Sequence, residues 1–147
     1  MKRKGFTLVE LAIVIAILGI LAMYAIPKYQ GMVEEARTAQ AKAQLGTVRS
    51  ALAIYYAKNS GKFPSSLGGT LFAEDTVPEV EATKADGTTV VKSSSVATGD
   101  GNGVVDPATE VTDAGGWVYD VKTDKTQADV RINAKGTGVD GTPWYQY

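Results

Sequence analysis

GFTLVELAIVIAILGILAMYAIP, residues 5–27, holds a single side chain that is charged at neutral pH, Glu10. At about 1.5 Å per residue, residues 6–26 make a helix of roughly 31 Å. That is the thickness of a bilayer's hydrocarbon core, about 30 Å. A carboxylate near the centre of a bilayer costs roughly 2.5–3.5 kcal/mol on insertion scales, so Glu10, a few residues into the run, asks for a functional reason. Lys2, Arg3 and Lys4 precede the run. Basic flanks stay in the cytoplasm, which predicts a single-pass protein with a cytoplasmic N-terminus and residues from Lys28 onward on the far side.

Composition removes several classes of chemistry. The chain has 147 residues, with no histidine and no cysteine. Histidine-based triads, thiol nucleophiles, Cys/His zinc sites and disulfides are therefore excluded. Nothing resembles a nucleophile with its base, and the chain is read as not an enzyme. The net charge is -1, with the basic triplet offset by an acidic remainder. No broad basic surface points to nucleic acid.

Three readings compete for the apolar run. A secretory signal peptide has a shorter core followed by a small-residue cleavage site. The run here is longer, and Ala22-Met23-Tyr24-Ala25 is a poor site of that kind. A plain membrane anchor accounts for the length and the basic flank but not for Glu10. The third reading rests on KGFTLVEL, residues 4–11. This motif resembles the processing site of type IV prepilins and of the related major pseudopilins of type II secretion. The likeness is strong from Lys4 to about Tyr29 and fades afterwards.

The resemblance implies residues 1–5 as a leader and residues 6–27 as a transmembrane and assembly helix. A globular pilin-like domain would follow over 28–147. A prepilin peptidase/methyltransferase would cut between Gly5 and Phe6 and methylate the new amine of Phe6. Glu10 matches the family's glutamate and Pro27 its helix-bending proline. A buried amine and a buried carboxylate each need a partner. Glu10 of an incoming subunit would pair with Phe6 of its neighbour and set the assembly register. Implied partners are further copies of the chain, the inner membrane, a filament assembly platform and minor pilins. The precursor would sit in the inner membrane and the product in an extracellular or periplasmic filament.

Beyond Pro27 the pattern stays helical to about Lys58. Proline weakens a helix interior, and Gly19 weakens it too, so the stretch between them is expected to bend or to unwind on packing. Ala41, Leu45, Val48, Leu52 and Tyr55 fall on one face, a stripe that the C-terminal half must cover. KNSGKFP (58–64) carries the stop signals Asn59, Gly61 and Pro64. YYAKNSGKFPSSL (55–67) resembles the helix exit of major pseudopilins. Tyr24, Tyr29, Tyr55, Tyr56 and Phe63 line the helix and its exit. Stacked aromatics have been proposed to carry charge in some filaments of this family. Interfacial anchoring for Tyr24 and Tyr29, and core packing for Tyr55 or Tyr56, account for them.

After Pro64 the texture is that of strands and long turns. WVYDV (117–121) and ADVRIN (128–133) alternate apolar and polar, and KTDKT between them makes a hairpin. This hairpin resembles one near the end of many pilin-like domains. TTVV (88–91) is a weaker strand. The expected fold class is α+β, a long N-terminal helix packed on a small C-terminal antiparallel sheet over 64–147.

GDGNGVVDPATEVTD (99–113) is the candidate metal loop. Asp100, Asn102, Asp106 and Glu110, with Asp113 nearby, offer the oxygen ligands calcium prefers. Alanine or threonine stands near the register where an EF-hand needs its bidentate glutamate, and the alternative is a solvated loop. Major pseudopilins hold calcium in a loop of this half.

The favoured function is a structural subunit, the major pilin of a type IV pilus-like filament. Its alternatives are a major pseudopilin and, in another class, a membrane-anchored binding module. Gly5 and Glu10 separate the first two from the third, since an anchor requires neither.

Overall fold

A computed structural model describes residues 5–147. The basic triplet Lys2, Arg3 and Lys4 lies outside the described residues. Helix α1 runs over Leu8–Lys58 as continuous α-helix, with Pro27 inside it. The expected bend or unwinding between Gly19 and Pro27 does not interrupt the helix in the single chain. Every residue from 5 to 33 is exposed. α1 is the one helix, among the described residues, long and apolar enough to cross a membrane. By density of contacts the chain divides into two units, the second covering Glu35–Tyr147.

In the second unit α1 buries Thr38, Ala41, Leu45, Val48 and Leu52. The spacing of three and four keeps them on one face. The stripe differs from expectation at both ends. Thr38 joins it because its Oγ1 accepts the Val139 N–H at 3.1 Å. Tyr55 is half-buried. Tyr56 is exposed and stacks on Phe63, ring centroids 4.6 Å apart. The helix stops where Ser60 and Gly61 take left-handed backbone (φ 55° and 75°). Asn59 Nδ2 and N–H both donate to the Tyr55 carbonyl, and the Gly61 N–H to that of Tyr56, satisfying carbonyls that no further turn would meet.

Five strands follow: β1 (Val80–Thr83), β2 (Val90–Ser93), β3 (Val96–Thr98), β4 (Trp117–Val121) and β5 (Ala128–Ile132). β1 and β2 form an antiparallel pair in the register Val80↔Ser93 to Thr83↔Val90. Strand β2 begins two residues later than TTVV suggested, because Asp86, Gly87, Thr88 and Thr89 make the turn. β3, β4 and β5 form a second sheet in that order. β4 and β5 are the expected antiparallel hairpin, Trp117↔Ile132 to Val121↔Ala128. β3 runs parallel to β4, so the single antiparallel sheet expected is two sheets, one of them mixed. Parallel neighbours need a long return connection, and residues 99–116 supply it. The entry to β4 admits only glycine: a Cβ on Gly116 would fall 2.2 Å from the Ser95 carbonyl oxygen.

Strand β4 also breaks the expected alternation, since residues 117–120 are all buried. Trp117 and Tyr119 join Leu45, Val48, Leu52, Val130, Ile132 and Trp144 in the main core. Their polar ends are satisfied by the Pro78 carbonyl (2.7 Å from Trp117 Nε1) and the Pro64 carbonyl (2.8 Å from the Tyr119 hydroxyl). Burial pushes the Tyr119 hydroxyl well above the usual phenol range. On the opposite face Val118 packs with Val105 and Val111 of the connection, a second small core. That connection turns a one-sided strand into a two-sided one.

Residues 134–147 return along α1. Lys42 pairs with Asp140 at 3.0 Å and lies 4.2 Å from the centre of the Tyr147 ring. The Tyr147 hydroxyl donates to Asp140, and Arg49 Nη2 donates to the Tyr147 backbone oxygen at 2.7 Å. Arg37 Nε meets Glu81 Oε1 at 2.6 Å and ties α1 to β1.

Candidate assembly site

The start of α1 is closed by its own side chains. Thr7 N–H and Thr7 Oγ1 both donate to Glu10 Oε2 at 2.8 Å, and the Glu10 N–H donates to Thr7 Oγ1 at 3.2 Å. This reciprocal Thr-x-x-Glu arrangement is a capping box, which satisfies donors that the first helical turn leaves free. Glu10 therefore has partners within its own chain before any second copy arrives. Sequence reasoning singled out Glu10 and missed Thr7. The three-residue spacing between the two is the signal that would have found it.

Phe6, 84 % exposed, precedes the box. Gly5 has open space around it: a Cβ there would meet nothing within 4 Å. Nothing in the fold demands glycine at position 5, so a requirement for it must come from an event outside the folded chain. The apolar side chains from Leu8 to Val33 are likewise exposed throughout. Contiguous apolar surface on that scale marks a membrane or protein contact.

The connection 99–116 gathers carboxylates around a buried one. Asp120, 1 % exposed, points outward from β4 into the loop. Its oxygens accept the N–H groups of Gly101 (2.8 Å), Gly103 (2.7 Å) and Val104 (3.1 Å). Glu110 accepts from the Asp100 and Asp106 N–H groups at 2.5 and 2.8 Å. Carboxylate oxygens of Asp100, Glu110 and Asp120 lie within 4.8 Å of one another. Two of the expected ligands, Asp100 and Glu110, thus converge on a third that the sequence did not flag. Asn102 Oδ1 accepts the Val104 N–H, and Asp106 accepts Ala108 N–H and Thr109 Oγ1–H, so these two brace local turns. Asp113 is used elsewhere, accepting from Ala85 and Lys135 N–H groups. Three hard oxygen donors in one place suit calcium.

A half-bare apolar helix with a carboxylate in its first turn, followed by a self-contained sheet unit, defines a class: proteins whose exposed helix is left for a membrane or protein contact to cover. Comparison with known proteins agrees. Residues 1–26 match the family described as the prokaryotic N-terminal methylation motif. The chain is 35 % identical over 105 residues to fimbrial protein EcpC of Eikenella corrodens, covering 66 % of this chain and 68 % of that one. It is 37 % identical over 86 residues to the type IV major fimbrial protein FimA of Dichelobacter nodosus, 56 % of this chain and 55 % of the other. Over 54 residues it is 50 % identical to the type IV narrow pilus major component PilA5 of Thermus thermophilus, 37 % and 47 % of the two chains. The chain belongs to the type IV pilin family. It spans about half the length of several of the curated relatives it matches. No solved structure gives a significant match.

Proposed function

We propose that the protein is the major structural subunit of a type IV pilus. It is held in the inner membrane as a precursor, cut after Gly5, methylated at Phe6, and polymerised through α1. The carrying observation is a helix of 51 residues whose portion up to Val33 buries nothing. Burial of apolar surface is worth roughly 25 cal/mol per Å², so this surface favours any state in which lipid or neighbouring helices cover it. The capping box fits a subunit that crosses from one to the other. Thr7 shields the Glu10 carboxylate in the membrane and can yield it to the amine of Phe6 on a neighbour. The named relatives are pilus and fimbrial components, which favours the pilus over the secretion pseudopilus. Assembly platform, minor pilins and peptidase are the partners this route requires. We further propose that the Asp100–Glu110–Asp120 cluster takes calcium as a brace for the loop, with no part in chemistry.

Mass spectrometry of filaments sheared from cells tests the main reading. The expected chain begins at a methylated Phe6. A filament chain that begins at Met1 or after Ala25 overturns it.

A further inference from the structure

A cleft of about 700 Å³ opens beside α1, lined among others by Gln40, Gln44, Thr47, Phe72, Glu74 and Glu79. Its outer wall is the loop that carries Glu74 and Asp75, both exposed. This loop is tightly closed: a Cβ on Gly69 would sit 2.0 Å from the Asp75 carbonyl oxygen, and the Asp75 N–H donates to the Phe72 carbonyl. Glu79 pairs with Lys92 at 3.1 Å. Glu74 and Asp75 have no ion-pair partner among the described residues.

The opposite charge collects at the end of α1. Lys58 closes the helix, and Lys62 lies beyond the left-handed turn at Ser60 and Gly61. The Phe63 N–H donates to the Lys125 carbonyl at 2.9 Å, which brings the β4–β5 turn alongside. Lys58, Lys62 and Lys125 make no ion pair among the described residues, whereas nearby Asp124 is engaged by Lys122 and Thr126. One molecule thus carries a cleft in which Lys92 neutralises Glu79 while Glu74, with Asp75 beside it on the same loop, has no ion-pair partner among the described residues, and it carries a basic end that is likewise unpaired.

We propose that the cleft receives the lysine-bearing end of α1 from a second copy of this chain. The contact rests on the pilin reading, which inserts every copy in the same orientation and leaves their helices parallel. The cleft lies level with residues 40–47 and the basic end with residues 58–62. The two meet only when one copy is displaced along the helix axis by about 20–25 Å. Cleft and basic end are different surfaces, so the contact is head-to-tail and repeats without closing. Exposed pairs add little affinity one by one. Their complementarity sets register and rejects wrong offsets, and the contact weakens with salt.

The chain has no cysteine, so introduced ones report without background. Asn59→Cys and Thr76→Cys are made separately and co-expressed in one cell. Sheared filaments are then mildly oxidised, since a disulfide forms only where Cα atoms come within about 7 Å. The expected result is a mixed dimer that neither variant forms alone. K58E/K62E and E74K/D75N should each lower the sheared filament yield about tenfold while the membrane pool is unchanged. Combining the four substitutions should restore it, which a folding defect would not do. Wild-type yield from K58E/K62E, or no mixed dimer and no restoration, overturns the contact and leaves the pilin reading standing. A sheared fraction that lacks the wild-type chain overturns the pilin reading and the contact with it.

Discussion

Residues 8–33 and residues 35–147 are built on opposite terms. The first stretch is apolar up to Ile26 apart from Glu10, and it buries none of its side chains. The second buries Trp117, Trp144, Tyr119 and Ile132 almost completely, in a core of its own. One stretch is finished by what surrounds it, the other by its own chain. The same contrast holds for their carboxylates. Among the described residues, Glu10 is held by Thr7, three residues away. Asp120 collects three amides from a loop distant in sequence. Under the proposed assembly, the carboxylate that changes partners is the one held locally, and the one with a purely structural place is enclosed.

The largest effect is expected where the fold itself is indifferent. Gly5→Val fills open space, so folding and insertion should proceed. Cleavage should be abolished, because the peptidase must fit a small residue before the cut. Mass spectrometry of the membrane pool should show only uncut chain, and sheared fractions should contain none. Cleaved protein in the variant would move the requirement away from Gly5.

Next comes Glu10→Ala, which should leave the protein inserted and cut while filament yield falls sharply. The amine of Phe6 would be desolvated without a partner, at a cost on the order of several kcal/mol. Melting of the second unit, followed through Trp117 and Trp144, should not change. Filaments at wild-type yield would remove the register role from Glu10.

Asp120→Ala inverts that pattern. It orphans three amide donors beside a buried position, a loss on the order of 3 kcal/mol. The tryptophan signal of the full chain in detergent should melt roughly 10–15 °C lower. An unchanged melting point would show that the loop is held without its buried carboxylate.

Much of this division was legible in the residues. Unbroken apolarity and its length announced the assembly helix, and the spacing of Ala41, Leu45, Val48 and Leu52 announced the covered face. The hairpin showed in the paired runs around KTDKT. The role of Asp120 was not legible. In WVYDV it reads as the solvent side of a one-sided strand, and only the return of residues 99–116 over that face buries it. The same connection makes β3 parallel to β4, a non-local pairing that no local pattern encodes. Thr7 could have been found and was hidden by attention to charge: a threonine in an apolar run reads as filler until Glu10 is counted three residues on.

A smaller effect probes calcium at the enclosed carboxylates. A ligand that binds only the folded state raises its melting temperature. Millimolar calcium should therefore raise the melting point of the full chain by a few degrees, and Asp120→Asn should remove the rise. Calcium without effect on the wild type would leave the three carboxylates bound by their amides alone.

The smallest effect belongs to the turn between β1 and β2, where a carboxylate is enclosed by nothing. Asp86 is fully exposed, yet the Thr89 hydroxyl, the Thr89 N–H and the Thr88 N–H hold its carboxyl down at about 2. The two amides donate from 2.7 and 2.9 Å. An unfolded aspartate titrates near about 3.9. A native value below the unfolded one means that the folded state holds its proton less tightly. The contribution to stability is therefore complete above about pH 4 and is lost as the pH falls toward the native value. Asp86→Asn removes the charge and keeps the shape of the acceptor. Wild type and variant should differ most at neutral pH and converge on acidification, with solvent keeping the difference small throughout. Melting curves of both chains between about pH 6 and pH 2 measure it. A difference that stays constant across that range would show that the turn depends on the shape of the side chain and not on its charge.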